Sequence, residues 1–321
     1  MPKHTFSTFL LILSMITSTK SYGVIFDKDP NTVEWDDPIV EMKFEPNAND
    51  PTGTEYTRQL RAIGVIQAFV SLVNPPKDVD EESKKLHKKG PVSYTLEGTG
   101  FMITKCHMLT AEHVLTGKTH QDNIQRNERG EAFIEVSAYL RDIDGSSLPT
   151  LTKAIVVGSG EYNPENFKDN EDWALLKVDG HSADPNTILP ILPITGEQAI
   201  TASIRDAVNV AGYFPDKMSA SSNVIYGDQK CYAFGTDTDE PDRTNWKTSC
   251  SAMPGTSGSP VYIRSPKDGR AAAIGMMIAS IVVDGNKAHA STTTIYNMMI
   301  KFSDPKFQAD LKEAIKNNPC D

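Results

Sequence analysis

The sequence predicts an all-β fold of barrel or sandwich type. Three observations carry this expectation: many short β-branched and aromatic runs, turn residues between them, and helical periodicity confined to the end of the chain. The 321 residues suffice for one large domain or two small ones, and 39 % hydrophobic with 23 % charged residues is ordinary for a globular chain.

The first segment does not belong to that fold. Met1-Pro-Lys-His is positively charged, and Phe6–Thr17 is apolar but too short to span a bilayer as a stable helix. Ser21-Tyr22-Gly23 then fits a small-x-small cleavage site. Residues 1–23 read as a secretory signal peptide, against the alternative of an uncleaved anchor. The mature chain is therefore expected to be secreted, either extracellular or periplasmic. Losing Lys3 and Lys20, and no acid, takes the formal net charge from −10 to −12. Such a surface repels polyanions, which excludes nucleic acid and anionic membranes as expected partners.

Residues 24–61 are rich in Asp, Asn, Pro and Glu and lack apolar periodicity; they read as a pro-segment or an irregular N-terminal strap. The texture changes at Ala62. Ala62–Val73 is a strand signal, ended by Pro75-Pro76 and followed by the mixed-charge loop Lys77–Lys89. Further strands are expected at Tyr94–Glu97, Gly100–Ile103, Ala132–Leu140, Lys153–Val157, Trp173–Val178, Ala207–Tyr213, Asn223–Tyr226, Cys231–Phe234, Pro260–Arg264, Ala271–Val283 and Ala290–Tyr296. The tail 304–321 alone reads as helix. Asp304 caps it, Pro305 starts it, and Phe307, Leu311 and Ile315 form one apolar stripe.

Three motifs suggest chemistry. In Gly255-Thr-Ser257-Gly-Ser-Pro260, glycines flank a serine, which permits a tight turn and close backbone approach. The N–H groups of Gly255 and Ser257 are then candidates to receive an oxyanion. In Leu109-Thr-Ala-Glu-His113, a histidine sits in a small-residue turn, a setting that His4, His87, His107, His120, His181 and His289 lack. Asp172 stands directly before the apolar run Trp173–Val178, where neighbours can desolvate it, with Asp169 and Glu171 as competitors. A serine made nucleophilic by an imidazole, itself oriented by a carboxylate, needs one residue of each kind.

These blocks, with Gly98-Thr-Gly-Phe-Met-Ile before the histidine motif, resemble those of the trypsin/chymotrypsin-like serine peptidases, most closely the bacterial branch that includes the glutamyl endopeptidases. The resemblance runs over residues 62–303. It implies two six-stranded β-barrels of chymotrypsin type with a C-terminal helix, and a site in the cleft between barrels. It implies a secreted serine endopeptidase with His113, Asp172 and Ser257 as triad, protein or peptide substrates, a monomer and no cofactor. The order His, Asp, Ser separates it from the α/β-hydrolases, whose acid and histidine follow the serine. A non-catalytic binding protein on the same fold is the alternative. A quality-control protease is disfavoured, since the barrel and helix use the residues after Ser257.

The chain departs from the family in two places. Thr256 stands where trypsin has the aspartate that receives its new amino terminus, so Arg61-Ala-Ile-Gly64 is not expected to be a trypsinogen-type switch. The base of the specificity pocket falls near Ser251 and Ala252, and Met277 occupies the place of the glutamate-specific branch's histidine. The expected pocket is uncharged, lined by Ala252, Met277 and Ser280, and suited to a small or medium apolar side chain. The resemblance also makes Ile278, Ala279 and Ser280 the strand that pairs with substrate backbone.

Four cysteines in an exported chain allow three pairings. Cys231 and Cys250 bracket a polar loop leading to the serine turn. In the resembling family the C-terminal helix packs on the barrel carrying the histidine, which makes Cys106–Cys320 the other bridge. No metal is expected: Asp237–Asp242 lacks the glycine and distal glutamate of a calcium loop, and no zinc-ligand spacing is present.

Overall fold

The computed structural model describes residues 39–41, 55–72, 92–116, 132–140, 150–160, 171–178, 188–193, 207–213, 226–234, 246–252, 255–265, 269–283 and 294–320. In chain order the elements are β1 (Ile39–Glu41), α1 (Glu55–Leu60), β2 (Ile63–Leu72), β3 (Val92–Met102), β4 (His107–Thr110), α2 (His113–Thr116), β5 (Ala132–Leu140), β6 (Thr150–Ser159) and β7 (Ala174–Val178). They continue with β8 (Ala207–Gly212), β9 (Tyr226–Phe234), β10 (Trp246–Thr248), β11 (Pro260–Arg264), β12 (Ala271–Val283), β13 (Thr294–Lys301) and α3 (Pro305–Asn317).

Strands β2 to β7 close into one antiparallel barrel in the order β2-β3-β4-β7-β6-β5. Strand β2 has the expected period of two: Ile66 and Ala68 point into the core, while Phe69 is exposed. The remaining strands form a sheet ordered β1-β9-β10-β13-β12-β11-β8, and a further pairing of β8 with β9 joins the six strands from β9 to β8 into a ring, with β1 added at β9. The fold is all-β and chymotrypsin-like, with a C-terminal helix.

Four local expectations change. Tyr94–Glu97 and Gly100–Met102 belong to the single strand β3, which ends before Ile103, because Gly98 and Gly100 are sites of close packing, not a turn. A Cβ on Gly100 would lie 2.9 Å from Ile66 Cγ1. Strands β4 and β10 were not anticipated; at four and three residues they are too short to show a period. The last strand runs to Lys301, beyond Tyr296, because Met298, Met299 and Ile300 are buried there despite methionine's weak strand preference. Within 24–61, the described residues include a short strand and a helix, which the sequence does not announce. Strand β1 pairs with β9, and Gln59 of α1 exchanges two hydrogen bonds with Ala271, donating to its oxygen at 2.6 Å and accepting from its nitrogen at 2.5 Å. Arg61 is buried, so the Arg61–Ala62 bond is not presented on the surface of this form. The signal segment, the 77–89 loop, Asn223–Ile225 and the Asp237–Asp242 cluster lie outside the described residues.

Helix α3 packs against the first barrel. Asp304 accepts a hydrogen bond from Phe307 N at 2.8 Å, and Pro305 occupies the first turn, where no N–H is needed. Phe307 stacks on Phe302 at 4.9 Å between centroids and meets the edge of Trp173 at 5.5 Å. The helix thus presses on the residue after Asp172. Disulfide bonds join Cys106 to Cys320, which fastens the end of this helix, and Cys231 to Cys250. No helix among the described residues is long and apolar enough to cross a membrane.

Candidate active site

His113 opens the short helix α2 at the end of β4. Val114 N donates to Ala111 O at 3.1 Å and Leu115 N to Glu112 O at 2.9 Å, while Val114 and Leu115 sink into the core. The imidazole is left at the surface of the barrel, with its side chain 12 % exposed. Asp172 is buried just before β7, and both of its oxygens engage His113. Oδ1 accepts from His113 N at 3.0 Å, and Oδ2 pairs with Nδ1 at 2.7 Å. A carboxylate only accepts, so Nδ1 carries a proton, and Nε2 is the ring nitrogen left to face away from Asp172.

The acid loop leaves no space for a larger residue at position 160. A Cβ on Gly160 would lie 2.1 Å from Glu171 O and 2.4 Å from Trp173 Nε1. Gly160 N donates to Trp173 O at 2.9 Å, closing the loop that holds Asp172 between them. Lys306 of α3 makes an ion pair with Glu171, so the helix braces this loop at two points.

Ser257 lies on the turn that leads into β11, and it is partly exposed. Two glycines with positive φ shape the turn: Gly255 at 96° and Gly258 at 89°. At Gly258 a Cβ would also lie 1.9 Å from Thr99 O, so glycine is required twice over. The turn is tied to both barrels through the main chain. Gly258 N donates to Met277 O at 2.8 Å, Met277 N to Ser259 O at 2.9 Å, and Thr99 N to Ser257 O at 2.8 Å. Gly98 separates the two halves of the site. A Cβ there would lie 2.5 Å from the side chain of Val114, next to His113, and 3.1 Å from Ser257 O.

Residues 98–274, more than half of the chain, match the model of the trypsin-like peptidase domain. The chain belongs to this trypsin-like peptidase family. As a member it carries a serine-peptidase hydrolase domain, whose substrates are proteins or peptides. A comparison with curated proteins gave no match.

The remaining expected site residues of this trypsin-like domain divide into two groups. Ala252 and Met277 pack in the core of the second sheet beside Cys231, Cys250 and Val208. Ile278 is buried in the main core, and β12 continues through Ala279 and Ser280, which pair with Met298 and Asn297. The described ladder of β11 on β12 ends at Met276; beyond it Ala279–Val283 have β13 along one edge only among the described pairings, and Ile278 lies at a register shift between Met277 and Ala279. Ser251 is buried and bound by an acid that the sequence reading missed. Asp228 Oδ2 accepts from Ser251 N at 2.8 Å and from Ser251 Oγ at 2.9 Å. The residue expected at an uncharged pocket base therefore has the buried side chain of Asp228 directly bonded to it. Asp228 lies on β9, far from the serine motif in sequence, and only cross-strand register brings it there. Thr99 and Gly160 were missed too; Thr99 lies inside the Gly98-Thr-Gly motif, whereas Gly160 stands well before Asp172 in the sequence and carried no local signal.

Among the described residues one group combines metal-ligating side chains: Cys106, His107 and Cys320. Its two sulfurs are joined to each other. His107 Nε2 donates to Asn318 O at 2.8 Å, and Nδ1 accepts from Thr104 Oγ1 at 2.8 Å. Burial lowers its pKa below the ordinary 6.5; the bond to Asn318 O opposes that shift and nearby Lys177 adds to it. This cluster anchors the tail of α3.

Proposed function

We propose that the chain is a secreted serine endopeptidase with His113, Asp172 and Ser257 as its triad. The observation that carries this reading is the two-point grip of Asp172 on His113, through N and Nδ1. It sets the ring's tautomer and orientation together, as a general base requires. His113 Nε2 takes the Ser257 proton as Oγ attacks the scissile carbonyl. The imidazolium is stabilised by Asp172 and then protonates the leaving amine. Water hydrolyses the acyl-enzyme by the reverse proton path. Gly255 and Ser257 N–H groups receive the oxyanion.

The substrate backbone adds as a strand along residues 278–280 of β12. Two features support export: the signal-like segment 1–23 and the two disulfides, which persist in oxidising compartments. The likeness to glutamyl endopeptidases does not extend to their specificity in this reading. The described residues at the pocket base, Ser251, Ala252, Met277 and Asp228, include no cation or histidine to receive a substrate carboxylate.

The test is labelling with a fluorophosphonate probe followed by a peptide-library digest. Wild-type protein is expected to label at Ser257 and to cleave peptides. Ser257→Ala should abolish labelling and lower kcat by about a million-fold. Activity that survives Ser257→Ala would overturn the triad, and predominant cleavage after Glu would overturn the reading of the pocket.

A further inference from the structure

Thr99 lies on the first barrel, in the middle of β3, and is completely buried. All of its polar groups are engaged, and both of its donors serve the turn that carries Ser257. Its N donates to Ser257 O at 2.8 Å, and its Oγ1 donates to Gly255 O at 2.8 Å. The same hydroxyl oxygen accepts from Tyr213 N at 2.9 Å, at the end of β8. Its carbonyl accepts from the Thr110 hydroxyl at 2.7 Å, three residues before His113. One residue therefore touches the histidine motif, both ends of the serine turn and a strand of the second sheet.

Gly255 and Ser257 are the two residues whose N–H groups the proposed mechanism aims at the oxyanion. Thr99 holds the carbonyl of each, one with its main chain and one with its side chain. A fixed carbonyl fixes ψ, and Gly255 has no side chain of its own to restrict it at φ 96°. The hydroxyl is the one contact of Thr99 with this turn that a substitution can remove while leaving the main chain in place.

We propose that the Thr99 hydroxyl is a positioning device for the oxyanion-binding turn, relaying Tyr213 N–H to Gly255 C=O and holding Gly255 so that its own N–H points at the developing charge. This rests on the serine-peptidase reading. Donors that are already oriented cost no reorganisation when the oxyanion forms, whereas a loose turn must be ordered in the transition state. Thr99 touches no substrate in this scheme and acts only through Gly255.

Thr99→Val keeps the shape of the side chain and removes the hydroxyl; Thr99→Ser keeps the hydroxyl. In Thr99→Val, kcat is expected to fall about 10- to 100-fold with KM within about twofold, a part of the effect of losing one oxyanion donor. Affinity for a peptidyl trifluoromethyl ketone, which forms a tetrahedral adduct, should fall by a similar factor, while binding of a cleavage-product peptide is unchanged. Thr99→Ser should lie within about threefold of wild type in both. The inference is overturned if Thr99→Val retains kcat and ketone affinity, if product and ketone binding weaken equally, or if Thr99→Ser is as impaired as Thr99→Val. Should Thr99→Val not fold, Thr99→Gly, which lets water reach Gly255 O, is read against the same criteria. Wild-type protein that neither labels with fluorophosphonate nor cleaves peptides would instead remove the serine-peptidase reading.

Discussion

His113 and Asp172, on the first barrel, are held by side chains: a buried carboxylate on an imidazole, with Trp173 and Phe307 packed behind it. Ser257, at the second sheet, is held through the main chain of its turn: two glycines at positive φ, and carbonyls that accept from Thr99 N, the Thr99 hydroxyl and Met277 N. The cores differ in the same sense. The first is continuous, with large apolar residues such as Phe101, Leu109, Leu175 and Phe302, and reaches into the second sheet; the other is smaller and contains a disulfide. The His113–Asp172 pair therefore depends on which side chains are present. The Ser257 turn depends largely on how closely the backbones approach.

Replacing one side chain in the first region tests this contrast most severely. Asp172→Asn keeps the shape but lets the amide donate to Nδ1, which favours the wrong tautomer. We expect kcat to fall about 10⁴-fold, as carboxylate-to-amide changes do in such triads. Steady-state kinetics beside a thermal melt would check it. An equal loss of stability and activity would mean that Asp172 serves packing alone.

The disulfides sharpen the comparison next. The Cys106–Cys320 bond closes a span of 214 residues and Cys231–Cys250 one of 19. Chain-entropy arithmetic gives about 5 kcal/mol for the first and about 3 kcal/mol for the second. Double alanine variants of each pair, unfolded in urea, should differ by about 2 kcal/mol in that direction. The Cys231–Cys250 pair lies nearer the serine turn, so its variant should lose more activity at temperatures where both remain folded. The reverse order in both measurements would mean that the smaller core holds the turn without its bridge.

The smallest expected effect is a pH dependence. His107 is buried beside the end of α3, facing Asn318 O, Thr104, Lys177 and the Cys106–Cys320 bond. Its folded pKa lies below the unfolded value of 6.5, so the unfolded chain binds its proton first. Stability is unaffected by this group above that value. It is lost as pH falls from 6.5 through the folded pKa, and the loss then levels off. The melting temperature of His107→Gln should drop less than that of wild type between about pH 7.5 and about pH 5. Identical drops would remove His107 as a source of acid sensitivity.

Residues with a local signature were legible in the sequence. A glycine-flanked serine, a histidine in a small-residue turn and an acid before an apolar strand can each be recognised from a few neighbours, because turn geometry and strand burial are local. The capped helix at Asp304 was legible for the same reason, and the all-β class followed from repeated short β runs. The helix inside the N-terminal strap was not, since its amphipathic turn is too short to show a period and is stabilised by Ala271, far along the chain.

Tertiary structure alone decided which distant groups meet. Asp228 reaches Ser251 through strand register, and Gly98 brings the neighbour of His113 against Ser257. Thr99 binds Gly255 across the two barrels. A hydrogen bond between residues far apart in the chain leaves no periodic trace, because it depends on where two folded surfaces come to rest. The serine, histidine and aspartate motifs could therefore be read residue by residue. The arrangement around Ser257, including the buried Asp228 carboxyl group bound to Ser251 and the hydroxyl behind Gly255, is a property of the packed barrels.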